Sequence, residues 1–388
     1  MKQTIFFLVI INCIVVTQSH AMEDDIYTLK IVTQLTNKPY CAQYVTNNSI
    51  VVGHEKGCDI LDIKDNRKIV NISSLPCYKL AVHPDQKKIA FAGHTTIGLY
   101  NVKTEKQEWL EQEEYHIISM YFNTHDNTIL LCLHNNVTER EHYIKKRDYL
   151  GTLCGDSVKI TDVASSAFCA EQHMLCVLED NGHVLSVYNS SHLALKPKQI
   201  CTSQIVQITQ PTYDRCYVSS EGHIAINKGD GNVYVINRDA HTGNYKTTVA
   251  GCLHKIVKEA ISRVFFYPKS SIILTISKVL REYKMQYWDA ETRDVMCTME
   301  FPFPDECIHD FSFSPDRKEV MFNFSKQCIM TCSVPFEVRY KDKTKERFPY
   351  MLFLLKKYID RHQAILGQEI PEDIRLLLAH TLLETFER

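Results

Sequence analysis

Between Tyr40 and Val338 the apolar positions fall in short runs separated by Gly, Asn, Asp and Pro. Ile50-Val51-Val52, Lys88-Ile89-Ala90-Phe91-Ala92, Thr128-Ile129-Leu130-Leu131, Met174-Leu175-Cys176-Val177-Leu178, Ile272-Ile273-Leu274-Thr275 and Val320-Met321-Phe322 are the clearest. Each is too short for a helix and is bounded by turn-forming residues, which predicts a strand. No 3.6-residue apolar stripe persists for more than two turns in this stretch, so the region reads as all-β.

The runs recur as a unit: an apolar strand, a Pro/Asp turn, a second apolar strand, a third ending in Asn or Asp, and a polar fourth. Ala81-Val82-His83-Pro84-Asp85, then Ile89 to Gly93, then Ile97 to Glu105 shows it well. Phe311-Ser312-Phe313-Ser314-Pro315-Asp316 and Val264-Phe265-Phe266-Tyr267-Pro268-Lys269-Ser270 repeat its opening. Met285-Gln286-Tyr287-Trp288-Asp289, Val233 to Asn237 and Val184 to Asn189 repeat its third strand. First strands near Cys41, Cys77, His116, Thr161, Ile205, Ile261 and Cys307 give seven units at intervals that straddle the roughly 40–45 residues of a four-stranded blade. The last unit, Cys307 to Pro335, has room for only three strands, and Ile26 to Val32 is a strand without a unit. Together they predict a ring whose N-terminal strand completes the seventh blade and removes the free edge.

These features make residues 26–338 resemble the WD40-repeat propellers. Trp288-Asp289 is the one true Trp-Asp dipeptide, and Tyr-Asn or Ile-Asn stands in its place elsewhere. Gly53-His54, Gly93-His94, Gly182-His183 and Gly222-His223 are read as following second strands, so they do not match the Gly-His that opens a repeat in that family. The resemblance implies a seven-bladed β-propeller and a protein-interaction platform without catalysis of its own. It carries over no binding residues.

The two ends differ from this pattern. Lys2, the apolar stretch Ile5 to Val16 broken by Asn12, small residues at Ser19 and Ala21, and the acidic Met22-Glu23-Asp24-Asp25 have the build of a signal peptide over 1–21. The apolar stretch is shorter than the ~20 residues needed to span a bilayer. The expectation is therefore export, to periplasm or cell exterior, with no stable membrane span after cleavage. At the other end, Phe348, Met351, Leu352, Leu355 and Ile359 share a helical face, and Gly367 is a stop signal. Pro371-Glu372-Asp373 opens a second stripe through Ile374, Leu377, Leu378 and Leu382. A short helical hairpin over 347–388 is predicted.

Composition narrows the function. At 388 residues, 45% hydrophobic and 23% charged, the chain has a globular composition, and its net charge of −2 argues against nucleic acid as a partner. Its 15 cysteines are scattered singly in apolar runs without a Cys-x-x-Cys spacing, and read mostly as reduced core residues. Export would permit disulfides, but their pairing is not readable from sequence.

Catalytic signatures such as Gly-x-Ser-x-Gly or His-Glu-x-x-His do not occur. His54, His94, His134 and His183 are candidates for metal ligands at the channel, weighed against ordinary strand-end histidines. Asp59, Asp62, Asp65 and Asp230 lack the spacing of a calcium loop and read as turn residues. Gly229-Asp230-Gly231-Asn232 reads as a hairpin turn. No catalytic, cofactor-binding or metal residue is assigned. The sequence favours an exported non-catalytic scaffold that binds a protein through blade loops or the channel mouth. The alternative is a propeller hydrolase or lactonase with a central metal ion.

Overall fold

The predicted strands form in the computed structural model. It describes residues 30–34, 37–335 and 338, except 66, 139–140, 156, 180–183, 194–196, 202–214, 228–232, 239–244, 247–260, 280–281, 291–293, 303–307 and 325–327. The chain divides into two units, Met1–Pro335 and Phe336–Arg388. The expected signal peptide and helical hairpin lie outside the described residues. All the elements below are strands, and no helix among the described residues is long and apolar enough to cross a membrane.

After β1 (Lys30–Gln34) comes blade 1: β2 (Pro39–Thr46), β3 (Ser49–His54), β4 (Gly57–Asp62) and β5 (Arg67–Ser73). Blade 2 is β6 (Lys79–Val82), β7 (Lys88–Ala92), β8 (Thr96–Asn101) and β9 (Lys106–Gln112). Blade 3 is β10 (His116–Asn123), β11 (Thr128–His134), β12 (Glu141–Asp148) and β13 (Val158–Thr161). Blade 4 is β14 (Ser165–Cys169), β15 (Met174–Glu179), β16 (Val184–Asn189) and β17 (Lys198–Cys201). Blade 5 is β18 (Arg215–Val218), β19 (Ile224–Asn227), β20 (Val233–Arg238) and β21 (Tyr245–Lys246). Blade 6 is β22 (Ile261–Phe266), β23 (Ile272–Val279), β24 (Glu282–Asp289) and β25 (Val295–Pro302). Blade 7 takes β26 (Ile308–Phe313), β27 (Glu319–Phe324) and β28 (Cys328–Ser333) from the end of the ring and β1 from its beginning. β1 pairs antiparallel with β28, Ile31 opposite Met330 and Gln34 opposite Cys328.

Two of the sequence-placed blade starts move. Thr161 ends β13, the outer strand of blade 3, and blade 4 starts at Ser165. The alternation of Val158 and Ile160 ends at Asp162, which turns the chain at φ 46°, a conformation Asp tolerates better than most residues. Ile205 lies outside the described residues, and the first described strand of blade 5 begins at Arg215.

Each sheet is sandwiched between two neighbours, and the period of two divides its side chains between them. In β11, Ile129, Leu131 and Leu133 join blade 2 residues such as Ile97 and Leu99. Leu130 and Cys132 face blade 4, beside Leu175 and Val177. In β3, Val51 faces blade 2 while Ile50 and Val52 pack against Met321 and Ile329 of blade 7. A second strand is thus buried on both faces, which explains runs that are apolar at every position rather than at alternate ones. At about 1.5–3 kcal/mol per buried aliphatic side chain, these junctions are the main hold on the ring. The outermost strands have no such demand; every residue of β9 except Trp109 is exposed.

The turns between first and second strands also interlock. His83-Pro84-Asp85 and Ser314-Pro315-Asp316 each close with an i to i+3 hydrogen bond, Gln86 N to His83 O at 2.8 Å and Arg317 N to Ser314 O at 2.8 Å. Tyr267 at the blade 6 turn donates its hydroxyl to Arg317 O of blade 7 at 2.8 Å. Asp316 N of blade 7 in turn donates to Asn47 Oδ1 of blade 1 at 3.1 Å.

Candidate functional site

Antiparallel order brings the start of each first strand, the end of the second and the start of the third to one face of the ring. Over blades 1 to 3 this face carries a continuous band of rings. Tyr40, early in β2, packs on Tyr78, just before β6, with centroids 4.7 Å apart. Tyr78 meets His94 at 4.2 Å, and His94 stacks on His116 at 5.1 Å. His116 opens β10 and stands opposite His134 at the end of β11, which stands opposite His142 in β12. His134 Nδ1 and His142 Nε2 are 3.1 Å apart, so one imidazole holds a proton for the other. His94 is exposed; Tyr40, Tyr78, His116 and His134 are half-buried.

Local sequence sets these positions. His94 sits in the tight turn closed by Gly93 N donating to Thr96 O at 2.9 Å. A side chain on Gly93 would lie 2.6 Å from Thr96 Oγ1 and 2.9 Å from Pro76 O, so glycine permits the close approach. Beyond His134 the loop folds back because Asn135 Oδ1 accepts the Val137 N–H at 2.9 Å. Val137 at its tip is 91% exposed, an apolar side chain offered to solvent beside the band.

Beside it, Tyr115 and Tyr143 stack at 4.6 Å and 14°, with the Lys145 ammonium 5.2 Å above Tyr115. Beneath them the buried Glu113 carboxylate receives Lys145 Nζ at 3.3 Å and Arg147 Nε at 2.6 Å. This ion triad fixes the exit of blade 2 to the third strand of blade 3. The surface is therefore a preformed ledge of π faces, imidazoles and one apolar tip. Such chemistry suits recognition of polypeptide side chains.

Among the described residues, the candidate histidines His54, His94 and His134 do not form one ligand set. His54 is buried and hydrogen-bonded through Nε2 to Asp59 at 3.1 Å. Burial pushes Asp59 upward, but hydrogen bonds from His54, Lys68 and Asn71 outweigh it and hold the carboxyl at about 2. Asp62 caps its own turn, accepting Lys64 N at 2.8 Å and Asp65 N at 3.1 Å. His94 and His134 belong to the ring band. His183, Asp230 and the Gly229–Asn232 turn lie outside the described residues. Gly222-His223 lies between the first and second strands of blade 5, not after the second; the shift follows from the later start of that blade. Among the described residues no three His, Cys, Asp or Glu side chains converge as metal ligands.

Neighbouring first strands touch one another on the inner side of the ring, β2 with β26 and β6, β6 with β10, and β18 with β14 and β22. There β26 carries Asp310, whose carboxyl burial pushes up to about 6, opposed by the Phe311 and Ala42 N–H groups and the charges of Lys79 and Arg263. The sequence reading missed Tyr40, Tyr78, His116, His142 and Val137. Each is a strand-end or loop residue of no individual distinction, and three blades must be in register before they meet.

No family model matches the chain, and no curated protein matches it in sequence. Solved structures do. The β-propeller domain of Cps50 (Swd1) from Myceliophteria thermophila superposes with a TM-score of 0.58 at 10% identity, over 79% of this chain and 100% of that one. A chain of the mitotic checkpoint complex gives 0.59 at 11% identity, over 79% and 95%. Both are WD40 propellers. The fold is a seven-bladed β-propeller. At such identities the likeness speaks for the fold alone.

Proposed function

We propose that the chain is an exported, non-catalytic scaffold that binds a protein partner through the blade 1–3 face. The observation that carries this reading is the ring band from Tyr40 to His142 with the Val137 tip beside it, a large preorganised surface. The WD40 propeller neighbours are consistent with it, and the build of residues 1–21 supports export.

The test is crosslinking capture with the mature chain against a Tyr78→Ala/His94→Ala/Val137→Asp variant. A partner enriched by the first and lost by the second, both folded by circular dichroism, is the expected result. Equal recovery by both removes the assigned face, and stoichiometric metal in the purified protein favours the hydrolase reading instead.

A further inference from the structure

Three buried cysteines meet at the junction of blades 1 and 2. Cys41 on β2, Gly53 on β3 and Cys58 on β4 are successive cross-strand partners, so their side-chain positions share one face of the sheet. Cys77 arrives from the connection to blade 2, anchored by its N–H on His54 O at 3.0 Å. The space that a side chain on Gly53 would occupy is filled by sulfur. A methyl carbon there would lie 2.7 Å from Cys41 Sγ and 2.8 Å from Cys77 Sγ, so the two sulfurs are no farther apart than those two distances together. All three thiols are unbonded and buried.

We propose that Cys41 and Cys77 are a disulfide pair, closed by exchange with a small-molecule disulfide such as oxidised glutathione while blades 1 and 2 come together. The proposal does not depend on the function proposed above. Cys77 is hydrogen-bonded to both of the other thiols. Hydrogen bonds from Cys41 and Cys58 hold the Cys77 thiol well below its ordinary range against the effect of burial. Burial, then the hydrogen bond with Cys77, pushes Cys41 and Cys58 up. In the open junction, where these hydrogen bonds are not yet made, either sulfur can begin the exchange as its thiolate, and the product is the same.

With Cys77 first, its Sγ bonds to one sulfur of the reagent and expels the other as a thiolate. Cys41 then gives up its proton, its sulfur attacks Cys77 Sγ, and the second reagent thiol leaves. Two protein thiols are oxidised and one small disulfide is reduced to two thiols. Because the cluster is buried once the blades have packed, the exchange occurs in the open junction, and packing then shields the product from reductant.

The experiment uses the full chain, held in moderate denaturant with oxidised and reduced glutathione, returned to buffer, then unfolded in the presence of the alkylating reagent and digested without reduction. The expected product is a linked peptide pair containing Cys41 and Cys77, with Cys58 alkylated. In buffer it survives a reductant concentration that cleaves it in denaturant, and its unfolding midpoint is higher than that of the reduced chain. Cys58→Ser keeps the link and Cys41→Ser abolishes it. Alkylation of both Cys41 and Cys77, or a Cys58–Cys77 link in the wild-type chain, overturns the assignment.

Discussion

Blades 1 and 6 solve the same packing problem with different chemistry. In blade 6, Trp288 near the end of the third strand donates its indole N–H to Thr275 Oγ1 of the second strand at 2.8 Å, both buried. Trp288 stands opposite Ile273, and the corresponding position of blade 1 is Leu61 opposite Ile50. Two residues along, where blade 6 has Thr275, blade 1 has Val52. Leu61 and Val52 join the apolar cluster shared with blade 7, so no hydrogen bond is made or needed. On its other face blade 1 replaces bulk with sulfur packed over Gly53. A repeat therefore keeps its shape when its signature residues are lost, provided volume and polar satisfaction are exchanged together.

The largest effect is expected at a third kind of junction, the ionic one between blades 2 and 3. Glu113→Ala strands Lys145 and Arg147 with little solvent, at a cost of about 3–4 kcal/mol, read as a lowered urea midpoint. Gly53→Ala drives a methyl into two sulfurs and the Cys77 carbonyl, and about 2–3 kcal/mol of stability is lost. If blade 1 tolerated it, the sulfur packing would be looser than described. Trp288→Phe leaves Thr275 without its donor and empties part of the indole site, costing about 1–2 kcal/mol. At the matching site of blade 1, Leu61→Met conserves volume and breaks no hydrogen bond, so it is expected to cost less, under about 1 kcal/mol; the comparison is made by thermal denaturation of both variants.

The smallest effect reverses sign. Asp310 binds its proton more tightly folded, near 6, than unfolded, near 3.8. Its contribution is full below the unfolded value and is lost as pH rises through 6. Asp310→Asn is therefore expected to raise stability by about 1–2 kcal/mol at pH 8, a gain that shrinks at pH 5 and vanishes below the unfolded value. Equal melting shifts at pH 5 and pH 8 would contradict this.

What the sequence revealed follows from range. The second strands announced themselves because burial on both faces demands unbroken apolar runs, as in Thr128 to Leu133. Tyr100-Asn101 and Tyr188-Asn189, read as stand-ins for Trp-Asp, occupy that very place, Tyr100 opposite Ile89 and Tyr188 opposite Leu175. Boundaries set by a single backbone conformation are harder to read: the apolar alternation does break at Asp162, but one Asp is no more distinctive than the other turn residues of the chain. The ring band and the thiol cluster were invisible for a further reason. Tyr40, Tyr78 and His116, or Cys41, Cys58 and Cys77, share no spacing that a motif could express, because blade register and cross-strand pairing bring them together.

The pairing of Ile31 with Met330 has a consequence for the order of events in the cell. During synthesis the segment that seals the ring emerges before all seven blades, and the strand it needs emerges some three hundred residues later. Until then the nascent chain carries an unsatisfied strand at one end and a growing edge at the other, each able to capture a stray strand. Completion is thus deferred until β28 has been made, and agents that hold the early segment apart from other chains would raise the yield of closed molecules.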